Sequence, residues 1–208
     1  MAYTATNWVE GVTTLGPTNM NKIETELVYL DTRIPPAAVA YGTSLPGSPV
    51  DGQTAILVDS TTNPSYQWAF RYNGGSSSSY KWEFVGGTAW TLVIPDYTTT
   101  GTGAWQAASG AGNVLTIPRA GDYDFTLSAF LSGANASIHV LGILVAGASP
   151  PPLQCNASMA ANGNAALYTR RPATGVSAGQ TVGPGYYSVT ATGTFGSLVL
   201  AVTPKRVS

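Results

Sequence analysis

The spacing of apolar residues changes along the chain, and its first part has a helical period. Near the N-terminus, apolar residues recur at alternating steps of three and four, at Met20, Ile23, Leu27, Leu30 and Ile34. This is the a/d seam of a coiled coil, which is narrower than the apolar stripe of a helix packed on its own domain. The pattern predicts a short coiled-coil helix that pairs with copies of itself. An ordinary amphipathic helix packed on its own domain is the alternative.

A helix of this length is marginally stable alone in water, so a larger body has to hold its copies together. The residues before it, 1–17, have the composition of an extended arm, and Trp8 and Val9 are the apolar side chains available to dock on a neighbour. We therefore assign residues 1–36 to an N-terminal arm and an oligomerisation and anchoring helix, which Pro35-Pro36 ends.

Beyond the helix the period changes to two, which predicts strands. Residues 54–58 read as a buried strand, and 66–72 and 80–85 as alternating strands joined in a hairpin by 73–79. Their aromatic side chains fall on one face of each strand. We predict a small β-meander domain over residues 37–87 whose aromatic core is Trp68, Phe70, Tyr72, Trp82 and Phe84. A sugar-stacking platform made by Trp68, Tyr72, Trp82 and Trp90 is the alternative.

Residues 88–208 contain regular short strands separated by turn signals. Tyr123, Phe125 and Leu127 alternate with polar residues, as in a strand with one buried face. The predicted strands are 90–94, 104–107, 114–117, 121–131, 136–145, 165–170, 181–182, 186–192 and 198–204. This pattern predicts a C-terminal β-sandwich of the jelly-roll type, in a chain that is mainly β. Loops are expected at 147–164 and 170–175, where loops on a rigid sandwich carry recognition.

Charge is scarce throughout. Charged residues make up 9% of the chain and the net charge is −1, against about 25% charged residues in an average soluble domain. This excludes the basic footprint of a nucleic-acid-binding or anionic-membrane-binding protein. The longest apolar run, 138–148, is too short to span a bilayer, so no membrane insertion is expected. So few charges favour surfaces that are permanently buried against copies or partners.

The first residues have neither the basic region nor the apolar region of a signal peptide. We expect a protein made in the cytoplasm and not exported by that route. Cys155 is the single cysteine, so no disulfide framework within the chain is expected, and we interpret it as a small buried hydrophobic residue.

Few residues have the spacing that catalysis or metal binding requires. His139 is the single histidine, and no Gly-x-Ser-x-Gly or metal-ligand spacing accompanies it. We expect a surface or interface histidine, with a metal held by one His139 from each copy of the chain left open. Asp122 and Asp124 stand about 7 Å apart on one strand face, a separation that glycoside hydrolases use, but we prefer a solvated strand face. The sequence therefore predicts no catalytic residue, no metal, no cofactor and a non-enzymatic function.

Three stretches resemble known structural proteins. Residues 7–24, with Asn7-Trp8 and Asn19-Met20-Asn21, resemble the N-terminal arm and helix of minor tail and fibre-type proteins of tailed bacteriophages. Residues 45–87, from Leu45-Pro46 to Gly86-Gly87, are similar to a small β module of the same class. The start of the strand at Pro118-x-x-Gly121-x-Tyr123 is similar to trimeric jelly rolls of the complement and tumour-necrosis-factor type. There the glycine makes the turn and the tyrosine begins a core strand.

The resemblance implies a virion protein, made in the host cytoplasm and assembled as a homotrimer. Its arm would contact other virion proteins, and its C-terminal domain would bind a host-surface glycan or protein. A tail-tip or fibre protein is the first interpretation. A capsid (head) fibre or decoration protein is the second, and a carbohydrate-binding or adhesion module is the third. An enzyme such as a capsule depolymerase lacks the residues to support it.

Overall fold

The computed structural model describes residues 21, 25, 39–99, 103–107, 112–134, 137–146, 154–159, 163–189 and 192–208. Residues Ala40–Ser208 form one compact unit. In the N-terminal segment, Asn21 and Thr25 are helical, and the Thr25 hydroxyl donates a 2.7 Å hydrogen bond to the Asn21 carbonyl. The predicted seam residues Met20, Ile23, Leu27, Leu30 and Ile34 lie outside the described residues, as do Trp8 and Val9. The coiled-coil helix and the anchoring arm therefore stay predictions.

Every multi-residue element in the described ranges is a strand. In chain order the strands are β1 (Ala40–Gly42), β2 (Thr54–Val58), β3 (Gln67–Tyr72), β4 (Trp82–Gly87), β5 (Trp90–Ile94), β6 (Tyr97–Thr98), β7 (Gln106–Ala107), β8 (Leu115–Thr116), β9 (Gly121–Ala134), β10 (Ser137–Val145), β11 (Gln154–Met159), β12 (Gly163–Val176), β13 (Thr181–Ser188) and β14 (Thr194–Val207). The described residues include no helix with the length and apolarity that crossing a bilayer requires.

These strands form two sheets. The larger sheet has the order β1-β2-β3-β4-β14-β9-β12, and β5 and β6 also pair with β14. The smaller sheet has the order β11-β10-β13-β7, and β8 also pairs with β13. Apart from the parallel pair β1–β2, the pairings are antiparallel. The chain is thus a mainly β protein of the sandwich kind, as the sequence predicts.

The hydrophobic core lies between the two sheets. Tyr123, Phe125 and Leu127 of β9 are 0% exposed, whereas the residues between them are half-buried, which confirms the predicted alternation. Leu141 and Ile143 of β10 supply the opposite wall of the same core. This period-2 burial is what fixes the register of β9 against its neighbours.

The aromatic meander continues the sandwich sheet. β3 and β4 pair as the predicted hairpin, and Trp82 and Glu83 of β4 pair with Val207 and Arg206 of β14. The Trp68 ring lies 6.4 Å from the Tyr123 ring, and both belong to one core cluster. The predicted boundary after residue 87 therefore falls between two parts of one sheet within the unit Ala40–Ser208.

Gly121 begins β9, as the resemblance to trimeric jelly rolls implies, and close packing gives the reason for a glycine. A Cβ at this position would lie 2.2 Å from the Arg206 carbonyl oxygen of β14. Two residues on, the Tyr123 hydroxyl donates a 2.7 Å hydrogen bond to the Arg119 carbonyl. These contacts hold the 118–120 turn against the end of β14.

Both predicted recognition loops contain paired strand, which corrects two expectations. Residues 154–159 form β11, which pairs with β10 although its composition gives no apolar alternation. Residues 170–175 lie within β12, which is at the edge of its sheet. Pro172 suits that edge, because a proline lacks the N–H that a second partner strand would need.

The two predicted strands 181–182 and 186–192 are replaced by the single strand β13. Gly183-Pro184-Gly185 looks like a strand break in the sequence, but Pro184 pairs with Ile143 of β10. On its other side β8 pairs with Thr181 and Val182, and β7 with Gly185 and Tyr186, so Pro184 falls in the gap between these two partners. On that side of β13 no described strand lies opposite Pro184, so the missing N–H of the proline loses no hydrogen bond to a neighbouring strand.

Candidate functional site

The five predicted core aromatics belong to the shared core. Trp68 and Phe70 are 0% exposed and Trp82 is 4% exposed, while Tyr72 and Phe84 are half-buried against them. The Trp68 and Tyr66 rings stack with centroids 4.0 Å apart. The sugar-platform alternative does not fit Trp68, whose ring has no exposed surface.

His139 is 0% exposed, so the expectation of a surface or interface histidine is wrong. It lies two residues from Leu141 and four from Ile143, and this spacing turns all three side chains toward the space between the sheets. Among the described residues, neither of its ring nitrogens has a hydrogen-bond partner. This position also removes the possibility of a shared metal held by one surface His139 per chain. The described residues contain no group of three or more His, Cys, Asp or Glu side chains that could hold a metal.

Asp122 and Asp124 have structural partners. The Arg170 guanidinium donates to Asp124 Oδ2 at 2.5 Å, and Lys205 Nζ lies 3.2 Å from Oδ1 as an ion pair without hydrogen-bond geometry. Asp122 Oδ1 accepts the Gly175 backbone N–H at 3.0 Å. Both carboxylates therefore tie β9 to neighbouring segments, which supports the strand-face interpretation over a hydrolytic pair.

The ion pairs at Asp124 make stability depend on pH. Partial burial raises the pKa of its carboxyl, but Arg170 and Lys205 lower it by more, so the net pKa lies below the ordinary value of 3.8. A lowered pKa stabilises the folded state at a pH above the ordinary value, and this contribution disappears as the pH falls through the lowered pKa. We expect Asp124→Asn to lose less of its free energy of unfolding between pH 7 and pH ~3 than the wild type.

Urea unfolding at several pH values measures this difference. Asp122→Asn is the matched control, since the asparagine keeps an acceptor for the Gly175 N–H and removes no ion pair. Equal pH dependence in Asp124→Asn and the wild type would contradict the assignment.

The described residues outline a cleft of about 350 Å³ beside the hairpin, and it is the candidate functional site. We call it the cationic cleft. Its lining includes the positive side chains of Lys81 and Arg119, together with Leu45, Pro46, Gly47, Pro49, Tyr72, Ser79, Trp82 and Ser208. A second cleft of about 380 Å³, lined by Pro64, Ser65, Tyr66, Gln67, Gly87 and Thr88, contains no charged side chain.

Short-range hydrogen bonds fix the loops beside the cationic cleft. The Gln53 N–H donates to the Val50 carbonyl at 3.0 Å, and Gln53 Oε1 accepts the Val50 N–H at 3.1 Å. The Gly52 N–H then donates to the Tyr72 carbonyl at 2.9 Å. Gly52 has a φ of 81°, a left-handed conformation that glycine adopts without strain.

The hairpin side of the cleft is fixed in the same way. Asp51 Oδ1 accepts the Gly74 N–H at 2.8 Å, and the Asn73 amide donates to Glu83 Oε1 at 3.1 Å. The Lys81 ammonium donates to the Ser76 carbonyl. The Tyr72 and Trp82 rings meet edge to face with centroids 5.3 Å apart. The cleft is therefore preformed.

Sequence reasoning missed this cleft because its residues come from four separate segments: 45–49, 72–82, Arg119 and Ser208. Tyr72 and Trp82 are recognisable as hairpin aromatics, but the stretches that contain Lys81 and Arg119 give neither residue a binding role. The pairing of β4 with the end of β14, and of β14 with β9, brings the hairpin and the 118–120 turn together. Only this long-range pairing places the two cations around one cleft.

No protein-family model matches the chain, and no curated protein matches it in sequence. Among solved structures, the chain is similar to an apo-form cyclase from Fischerella sp. at 8% identity and a TM-score of 0.33, covering 83% of this chain and 82% of that one. It is also similar to a cyclase from Fischerella sp. TAU at 9% identity and a TM-score of 0.33, covering 79% and 82%. TM-scores this low do not establish a shared fold.

Proposed function

We propose that this chain is a non-enzymatic virion protein of a tailed bacteriophage, a homotrimeric tail-tip or fibre protein that binds the host surface through its C-terminal β domain. The strand order supports the jelly-roll part of this proposal. When β5–β6 and β7–β8 each count as one strand, the described residues of 88–208 form eight strands, ordered 1-8-3-6 and 2-7-4-5 in the two sheets. An eight-stranded jelly roll has this arrangement, and viral capsid proteins use such folds.

The observation that carries the trimer is an apolar strip on the outer face of the larger sheet. Val93, Val199, Ser128 and Tyr168 pair in one row across β5, β14, β9 and β12, and Phe130 lies in a neighbouring row. Val93 is 72%, Tyr168 60% and Phe130 47% exposed. Contiguous exposed apolar surface of this kind marks an interaction site. We call these five residues the outer strip.

The proposed occupant of the outer strip is a second copy of the chain. Arg170 and Lys205, which share this face, both pair with Asp124, so a copy that covers these three residues buries each of them with a partner. Small side chains beside the strip, such as Ala166, allow a neighbour to approach closely. The predicted heptad seam of residues 20–34 also requires copies of the chain.

The virion assignment rests on the resemblance of residues 7–24 and 45–87 to phage tail and fibre proteins, together with the low charge. Residues 1–36 are proposed to contact other virion proteins. Host binding by weak individual sites is sufficient, because three copies per trimer and many trimers per particle raise avidity.

Two measurements test the proposal. Sedimentation equilibrium of the full chain at micromolar concentration should give the mass of three chains, and a single-chain mass overturns the trimer. Immunogold electron microscopy should place the protein on the tail of an assembled particle. Labelling of the head would instead favour the capsid fibre or decoration protein, and absence from particles would favour the adhesion module.

A further inference from the structure

We propose that the cationic cleft binds an acidic saccharide, with the carboxylate of a sugar ring held by Lys81 and Arg119 and the ring lying against Tyr72. This site goes beyond the proposed function, because it assigns a ligand class to a region outside the expected recognition loops. None of the residues lining the cleft belongs to the outer strip. The two proposals can therefore fail separately.

Lys81 and Arg119 differ from the other described cations because they line a cleft, whereas Arg71 and Arg171, which also take part in no ion pair among the described residues, do not line it. Arg170 and Lys205 pair with Asp124, and Arg206 lies 3.7 Å from Glu83. In the part of the chain that the structure describes, Lys81 and Arg119 take part in no ion pair. The cleft lining also includes Ser208, but its charged side chains are Lys81 and Arg119, and in a chain with 9% charged residues two cationic side chains in one cleft favour the binding of an anion.

The donors suit a carboxylate. The Arg119 guanidinium offers a planar fork that matches two carboxylate oxygens. The Lys81 ammonium has three protons and gives one to the Ser76 carbonyl, so two remain for a ligand. A cleft with low-dielectric walls strengthens both interactions relative to an exposed site.

The remaining walls suit a sugar ring rather than a bare anion. Tyr72 is half-buried, and its edge-to-face contact with Trp82 holds the ring in one orientation. The C–H face of a sugar can pack on the electron-rich face of such a ring. Pro46 and Pro49 stiffen the loop that also lines the cleft, so little ordering is required on binding. The volume of about 350 Å³ is at the lower end of the range for ligand sites and suits a terminal sugar.

Surface plasmon resonance with the full-length protein tests this site. The probes are two immobilised oligosaccharides that differ only in the terminal residue, glucuronic acid or glucose. We expect the glucuronic acid probe to bind at least about tenfold more tightly, since hydrogen bonds to charged groups are stronger than neutral ones. Arg119→Gln and Lys81→Gln should each lower the affinity for the glucuronic acid probe at least about tenfold. Arg71→Gln, an exposed arginine of β3 outside the cleft, is the matched control and should change it less than about twofold.

Three outcomes would contradict the proposal that the cationic cleft binds an acidic saccharide. These outcomes are equal binding of the two probes, no binding of either probe, and equal effects of Arg119→Gln and Arg71→Gln on the affinity. Displacement of the glucuronic acid probe by inorganic phosphate as effectively as by free glucuronic acid would show an anion site without sugar recognition, and would overturn the saccharide assignment. Thermal unfolding of each variant checks folding, and if Arg119→Gln does not fold, Lys81→Gln decides. Sedimentation of the same samples reports the trimer independently.

Discussion

Trp68→Ala is expected to destabilise the whole unit Ala40–Ser208 by about 3–5 kcal/mol, the cost of replacing a large buried aromatic by alanine. The indole is 0% exposed, stacks on Tyr66 and donates a 3.0 Å hydrogen bond to the Thr88 carbonyl. It also contacts the core of the sandwich through Tyr123. Because the meander and the sandwich share this core, unfolding of Ala40–Ser208 should remain a single transition at a lower denaturant concentration.

Guanidinium unfolding followed by tryptophan fluorescence and far-UV circular dichroism measures this effect. Tyr41→Ala, at a side chain 47% exposed on β1, is the control and should change the free energy of unfolding by less than about 0.5 kcal/mol. If the two probes separated, with the fluorescence transition alone shifted, the meander would be an independent domain and the shared core would be refuted.

Tyr168→Asp is expected to abolish the trimer. The tyrosine is 60% exposed in the single chain and lies at the end of the outer strip row. In the proposed assembly the substitution buries an added carboxylate at each subunit contact. Because the nearby Arg170 already pairs with Asp124, the expected cost is that of a buried charge without its own partner, about 3–5 kcal/mol by analogy with broken buried ion pairs. The mass from sedimentation equilibrium should then fall from three chains to one at micromolar concentration, while the β signal in circular dichroism is retained.

Val85→Asp is the matched control for this experiment. Val85 is 58% exposed on β4, away from the outer strip, so its substitution should leave the trimer mass unchanged. A Tyr168→Asp protein that still sediments as three chains would show that the outer strip is not the subunit contact. Loss of the trimer in both variants would point to a general effect of added charge.

The sequence predicts those parts of the fold that local burial determines. β2 and β5 have the predicted bounds, and β9 starts at the predicted Gly121, because their apolar residues follow the period of a half-buried or buried strand. β11 could not be predicted, since its residues show no apolar alternation and the strand is specified by pairing with β10.

Two other features depend on contacts that a local pattern does not contain. Pro184 lies inside β13 because the strands on one side leave a gap at that position, which only the assembled sheet reveals. The cationic cleft likewise forms when β14 brings the hairpin and the 118–120 turn together. His139 was misplaced because alternation alone does not tell which face of β10 is buried when residues on both faces are apolar.

The position of β14 has a consequence for biosynthesis. This strand follows every other described strand in the chain, yet it pairs with β9 along one edge and with β4, β5 and β6 along the other. During translation, the larger sheet cannot close until residues 194–207 have emerged from the ribosome, because β14 lies between the meander and β9. Contacts of such long sequence separation slow folding and leave strand edges open in the meantime. We therefore expect the larger sheet of the nascent chain to keep open strand edges until β14 has emerged.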